Sequence, residues 1–202
     1  MSYDREIKYA HPFIQDNLHD ILAAIQSKMP AGITCKVISV HRTPADQFEL
    51  FKQGRAFKNG KWTVVNKSQV VTGKDGFINK SRHNYLPATA FDIGLFDSAG
   101  KYLPDSPHYK HIKAGEAFGF DWGGDWTTLV DQPHLEITPA KFFQKNIEKD
   151  NGFVWQALLI KAGTYHDAHD GIFGQHSLDA LKAATGETER NMKAWDKLRS
   201  NS

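Results

Sequence analysis

A single cysteine, Cys35, in 202 residues leaves no internal disulfide, so packing alone has to hold the fold. No stretch approaches the ~18 to 20 consecutive apolar residues of a membrane-spanning helix, so no membrane insertion is expected. The opening residues, Met1-Ser2-Tyr3-Asp4-Arg5-Glu6, have no apolar run behind their charges; no signal peptide is expected, and synthesis is placed in the cytosol. Neither charge sign dominates: 25 basic and 23 acidic residues leave +2 and are well mixed, without the basic stripe that a nucleic-acid partner requires. Cys35 lies in the apolar run 33–38 and reads as a buried, reduced thiol in a strand.

What is present suffices for a full core, since 40% of the residues are hydrophobic. Phe13, Ile14, Leu18, Ile21, Leu22 and Ile25 recur at helical spacing over 13–28, and Pro30-Ala31-Gly32 ends that pattern before a β-branched strand at 33–40. Thr43-Pro44 opens a second helix with Phe48, Leu50 and Phe51 as its buried face and Gly54 as its stop, leaving Arg42 at a strand-to-helix junction. Residues 56–80 read as a loop or small hairpin. In the strand 88–95, Ala88, Ala90 and Asp92 share one face while Thr89, Phe91 and Ile93 share the other. A helix near 108–118, the corner Trp122-Gly123-Gly124-Asp125-Trp126 and a last strand at 135–137 follow. The fold class is α+β: a small antiparallel sheet with flanking helices around a cleft, plus a small helical C-terminal module. A composition change at 148–152 is read as a linker between domains at 1–147 and 152–202.

Two segments about fifty residues apart carry the chemistry. Ser81-Arg82-His83 runs on to Ala90-Phe91-Asp92, and Asp131-Gln132-Pro133-His134 follows. Catalytic zinc takes three ligands from His and Asp or Glu and keeps a fourth position open, which His83, Asp92 and His134 fit. Asp131, three residues before His134 with Pro133 fixing the backbone between them, is placed to act as general base without being a ligand. Arg42 offers a rigid fork of donors to polarise a scissile carbonyl or bind a substrate carboxylate. Taken singly, each of these short patterns is weak; their co-occurrence in order is informative.

That order resembles the zinc L-alanyl-D-glutamate peptidases of phage endolysins, relatives of the D-alanyl-D-alanine carboxypeptidases and dipeptidases. The resemblance covers roughly residues 10–145 and rests on Ser39-Val40-His41-Arg42-Thr43, Gln47, Gln53-Gly54-Arg55, Ser81-Arg82-His83-Asn84-Tyr85, Ala90-Phe91-Asp92, the tryptophan corner and Asp131 to His134. It implies zinc ligands His83, Asp92 and His134, catalytic Asp131, and substrate-facing Arg42, Gln47 and Ser81, with Trp122 and Trp126 as a substrate wall. One departure stands out: His83 and Asp92 are nine apart, two more than the family spacing, with Leu86-Pro87 in that stretch. The implied activity is hydrolysis of L-alanyl-D-glutamate in bacterial peptidoglycan, the implied state a monomer. The implied location is the host cytoplasm until release to the wall. Cleavage of D-alanyl-D-alanine, or a non-catalytic wall-binding protein with a structural zinc, are the alternatives.

The tail adds Trp155 to Leu159, then Asp170-Gly171-Ile172-Phe173-Gly174, then Ser177 to Leu181, similar to the repeat of small peptidoglycan-binding modules. Leu178 and Leu181 face one apolar side, and Trp195 and Leu198 close the core. His166, Asp167, His169, Asp170 and His176 are read as a solvated turn rather than a second metal site.

Overall fold

The structure, a computed structural model, describes residues 7–200. Four strands, β1 (Thr34–Ser39), β4 (Ala90–Phe96), β5 (Phe120–Trp122) and β6 (His134–Ile137), form an antiparallel sheet in the order β1-β4-β6-β5. The alternation expected for the central strand holds: Phe91, Ile93 and Leu95 enter the core, while Asp92 stands on the other face. Helix α1 (Pro12–Gln26) contributes Ile14, Ile21 and Ile25 to that core. His11 caps it by accepting from the Phe13 N–H.

Residues 107–118 form a run of 3-10 turns, Pro107–Phe118, rather than the expected α-helix. The run still buries Tyr109 and Ile112, and Gly115 sits so close to Leu135 that an added Cβ would lie 2.6 Å from its side chain. Residues 120–122, leading into the tryptophan corner, form the edge strand β5. Cys35 is only half-buried in β1, with its thiol 3.6 Å from the Leu22 carbonyl oxygen, and burial raises its pKa.

Helix α2 (Pro44–Lys52) starts where Thr43-Pro44 indicates, but its buried side chain is Gln47, while Phe48, Leu50 and Phe51 are only partly covered. The hairpin β2 (Arg55–Lys58) and β3 (Lys61–Val64) packs beside it through Trp62 against Phe48.

Helices α3 (Ile147–Lys161), α4 (Gln175–Thr185) and α5 (Met192–Ser200) surround a second core of Trp155, Leu159, Leu181, Trp195 and Leu198. The segment 148–152 is no linker. Asn146 caps α3 by accepting from the Glu148 and Lys149 N–H groups, and Glu148 and Asp150 complement the helix dipole in its first turn. Gly152 is buried where a Cβ would lie 2.0 Å from the Gly171 carbonyl oxygen, so the glycine serves close packing of the 170–174 turn. The two cores are joined by specific bonds: Trp155 Nε1 donates to the Leu86 carbonyl at 2.7 Å, and Trp195 Nε1 to the Lys8 carbonyl at 2.7 Å. The extra residues Leu86-Pro87 are thus the seat on which the C-terminal helices rest, and Leu86 packs into their core. Among the described residues, no helix is long and apolar enough to cross a membrane.

Candidate metal centre and cleft

Three strand and turn positions converge. Asp92 and His134 are direct cross-strand partners in the β4–β6 register, so their side chains emerge side by side on one face. His83 comes from a short 3-10 turn, Arg82–Asn84, capped by Ser81, whose hydroxyl accepts from the His83 N–H at 3.4 Å. A register shift between Val37 and Ser39 sets Ser39 opposite Asp92 and delivers Val40, His41 and Arg42 to the same end of the sheet.

Hydrogen bonds orient the two imidazoles. His83 Nδ1 lies 2.6 Å from the Val40 carbonyl oxygen, which can only accept, so Nδ1 carries the hydrogen and Nε2 presents a lone pair. His134 Nε2 lies 3.2 Å from a Glu136 carboxylate oxygen and Nδ1 3.1 Å from Asp92, so a neutral ring that donates from Nε2 to Glu136 presents Nδ1 as a metal ligand. His83 Nε2 and His134 Nδ1 are 3.2 Å apart, and each faces the same Asp92 oxygen, at 3.3 Å from His83 and 3.1 Å from His134. With His134 neutral, three lone pairs face one another here, and either a proton on His134 or a cation must sit between them. Their separations also fit, since tetrahedral ligands ~2.0 to 2.1 Å from zinc are ~3.3 to 3.4 Å from each other. Among the described residues this is the group of three or more metal-ligand side chains within reach of one ion. The tail residues His166, Asp167, His169, Asp170 and His176 form no such group.

The electrostatics carry the same signature. Burial lowers the His134 pKa, but the Asp92 and Glu136 carboxylates overcome it and raise it to about 9, so a cation bound here would displace a proton. Burial raises Asp92, yet the neighbouring His83 and His134 hold it well below the carboxylate range. Asp131 behaves oppositely: burial, then the charge of Asp92, push it up.

Around this group lies a cleft of about 910 Å³ lined by Arg42, Ser81, Trp126, Asp131 and Glu136 among others. Gly123 makes the Asp131–His134 turn possible, because a Cβ there would lie 2.5 Å from the Asp131 carbonyl oxygen. The Trp126 ring stands 5.0 Å from that of His134. Two residues expected to face substrate do not line the cleft. Gln47 is fully buried behind Arg42, accepting from its guanidinium at 2.8 Å and donating to the Lys74 carbonyl at 3.0 Å. It orients the arginine, whose other amino group is 3.6 Å from Asp92. Trp122 belongs to the core and donates to the Gln132 carbonyl at 2.7 Å, bracing the loop that carries Asp131.

Sequence reasoning missed Glu136 and Arg82. Glu136 was read only as part of a strand, although the two-residue period puts it on the same face as His134. It is bracketed by His134 on one oxygen and by Arg82, 3.4 Å away, on the other. Burial raises its pKa, but the His134 bond and the Arg82 charge outweigh that and keep it low.

This chain is similar to several known proteins. Residues 76–137, which hold His83, Asp92, Asp131 and His134, match the family model described as D-alanyl-D-alanine carboxypeptidase. An L-alanyl-D-glutamate peptidase of a Listeria phage is 30% identical over 80 residues, 37% of this chain and 28% of that protein. The solved L-Ala D-Glu endopeptidase ChiX of Serratia marcescens has 22% identity and a TM-score of 0.42, covering 67% of this chain and 85% of its own. The peptidoglycan L-alanyl-D-glutamate endopeptidase CwlK of Bacillus subtilis is 31% identical over 139 residues, 64% of this chain and 74% of CwlK. By that relationship, this chain belongs to the family of peptidoglycan L-alanyl-D-glutamate endopeptidases, a branch of the D-alanyl-D-alanine carboxypeptidase group of metallopeptidases.

Proposed function

We propose that this chain is a zinc endolysin that hydrolyses the L-alanyl-D-glutamate bond of the peptidoglycan stem peptide. The observation that carries the reading is the convergence of His83 Nε2, Asp92 Oδ1 and His134 Nδ1, which lie 3.1 to 3.3 Å from one another. These three atoms would hold a zinc ion, which would supply Lewis acidity and make a nearby water more acidic.

The chain's own residues do the rest. The Asp131 carboxylate takes a proton from the attacking water and passes it to the leaving amide nitrogen, completing cleavage of the C–N bond. Its upward pKa, set by burial and by the charge of Asp92, suits a group that must both accept and return a proton. Arg42, held by Gln47 and lining the cleft, binds a substrate carboxylate or polarises the scissile carbonyl. Ser81 and Trp126 line the same cleft and contact the stem peptide. The helices α3 to α5 form the wall-binding module, divided from the peptidase near Ile147.

The second reading, D-alanyl-D-alanine cleavage, is favoured by the description of the matching family model. Digestion of purified wall by zinc-loaded protein, followed by identification of the new termini, separates the two. A new D-glutamate amino terminus supports the proposal. Released D-alanine supports the second reading, and unaltered lysis after exhaustive chelation refutes both.

A further inference from the structure

The charge of this molecule is unevenly placed. Residues 52–80 hold seven Lys and Arg against one acid, Asp75, in a chain whose net charge is only +2, so the remainder is net acidic. Lys52 and Lys80 are paired, with Glu49 and Glu148. Arg55 is occupied by the Phe51 and Thr72 carbonyls. Lys58, Lys61, Lys67 and Lys74 are exposed and have no ion pair with any described residue. Two of them are set against each other: Lys58 and Lys61 are cross-strand partners in the β2–β3 hairpin, an arrangement that like charges disfavour.

The same segment exposes apolar surface. Phe77, Phe48, Trp62 and Phe57 form a continuous row of rings with centroids 5.9, 5.7 and 5.5 Å apart, and the terminal rings, Phe77 and Phe57, are 60% and 61% exposed. Beside them Ile78 is 90% exposed. It is held out rather than left loose: one Asp75 carboxylate oxygen accepts from the N–H groups of Phe77, Ile78 and Asn79 at 2.8, 2.8 and 2.9 Å. Gly76 packs so tightly on α2 that a Cβ would lie 2.7 Å from the Pro44 carbonyl oxygen. Scattered exposed apolar residues need no explanation, but a row of rings and a fixed isoleucine beside uncompensated lysines does.

We propose that the β2–β3 hairpin and the 75–79 loop form a docking surface for an anionic phospholipid bilayer. Phe57, Phe77 and Ile78 enter the interface while the lysines meet the headgroups. A hydrophilic polyanion would engage the lysines and leave the rings and Ile78 without a role, which is why charge complementarity together with apolar exposure selects a bilayer. The surface abuts the cleft, since Val71 and Lys74 line it, but Lys58, Lys61 and Ile78 lie outside it.

The test is co-sedimentation of the full chain with vesicles of phosphatidylglycerol and phosphatidylethanolamine, against vesicles of phosphatidylcholine alone. Binding is expected to the anionic vesicles and to weaken with salt. The double variant K58Q/K61Q is expected to bind about 30-fold less tightly, at roughly 1 kcal/mol per lysine. Ile78→Ser is expected to bind about tenfold less tightly through lost apolar burial. Both variants should keep the parent's thermal midpoint and its hydrolysis of soluble wall fragments. Absence of binding to anionic vesicles at low salt overturns the proposal, as does equal binding to phosphatidylcholine. Vesicle binding by Ile78→Ser equal to the parent's would assign the lysines to a soluble polyanion and overturn it too.

Discussion

Removing the Glu136 carboxylate should weaken zinc binding without touching any proposed ligand. Glu136 accepts from His134 Nε2 at 3.2 Å, which holds the ring with Nδ1 facing Asp92 and His83. Loss of a carboxylate that orients a ligating histidine costs about 10- to 100-fold in metal affinity, or ~1.4 to 2.7 kcal/mol. Glu136→Gln keeps an acceptor oxygen but loses the charge, and charged hydrogen bonds are about twice as strong as neutral ones, so it belongs near the tenfold end. Glu136→Ala also frees the ring to turn and leaves Arg82 without its partner at 3.4 Å, so it belongs near the hundredfold end. Competition against a chromogenic chelator measures the zinc Kd directly, and the spectrum of the cobalt-substituted protein reports whether the ligand set is kept. Glu136→Ala binding zinc as tightly as the parent would show that the tautomer argument is wrong.

Other outcomes follow from the same geometry. Asp131→Asn should retain zinc and lose about 10² to 10⁴ in kcat, whereas His134→Ala should lose both zinc and activity, as read by metal analysis beside wall-lysis assays. His41, whose pKa burial and then the neighbouring His83 lower to about 4, binds fewer protons folded than unfolded. Its contribution in the metal-free protein is therefore fully present above about pH 6.5 and is lost as pH falls toward 4, a change of ~3 kcal/mol. Urea unfolding across that window should show the loss, and a His41→Gln variant should show a flatter profile. Trp155→Phe removes the donor to the Leu86 carbonyl and should cost ~1 to 3 kcal/mol in urea denaturation. No change there would mean that this bond does not tie the C-terminal helices to the loop after His83.

The helix, strand and turn order of the first 140 residues is written locally. A threonine before a proline, an apolar period of 3.6 and a strict alternation around Asp92 each depend on near neighbours, and each recurs in the fold. The grouping of His83, Asp92 and His134 was legible for a related reason: few side-chain types bind metal ions, and the segments carrying them have distinctive neighbours. Gln47 and Trp122 were misjudged because local pattern cannot show whether a polar or indole group reaches the cleft or supports it from behind. The false linker at 148–152 arose from reading polar residues and a glycine as flexibility, where they are a helix start and a close-packing site.

The sequence by itself determined the kind of chemistry available, because His83, Asp92, His134 and Asp131 are chemically committed wherever the chain puts them. Tertiary structure alone decided which nitrogen of each imidazole faces the cluster, since that depends on the Val40 carbonyl after β1 and on how the Glu136 carboxylate, two residues along β6, meets His134. It also decided what Leu86-Pro87 is for. Two residues that look like a disturbance between ligands form the surface on which Trp155 and Leu86 join the two cores, a contact made across 69 residues of chain that no local period encodes.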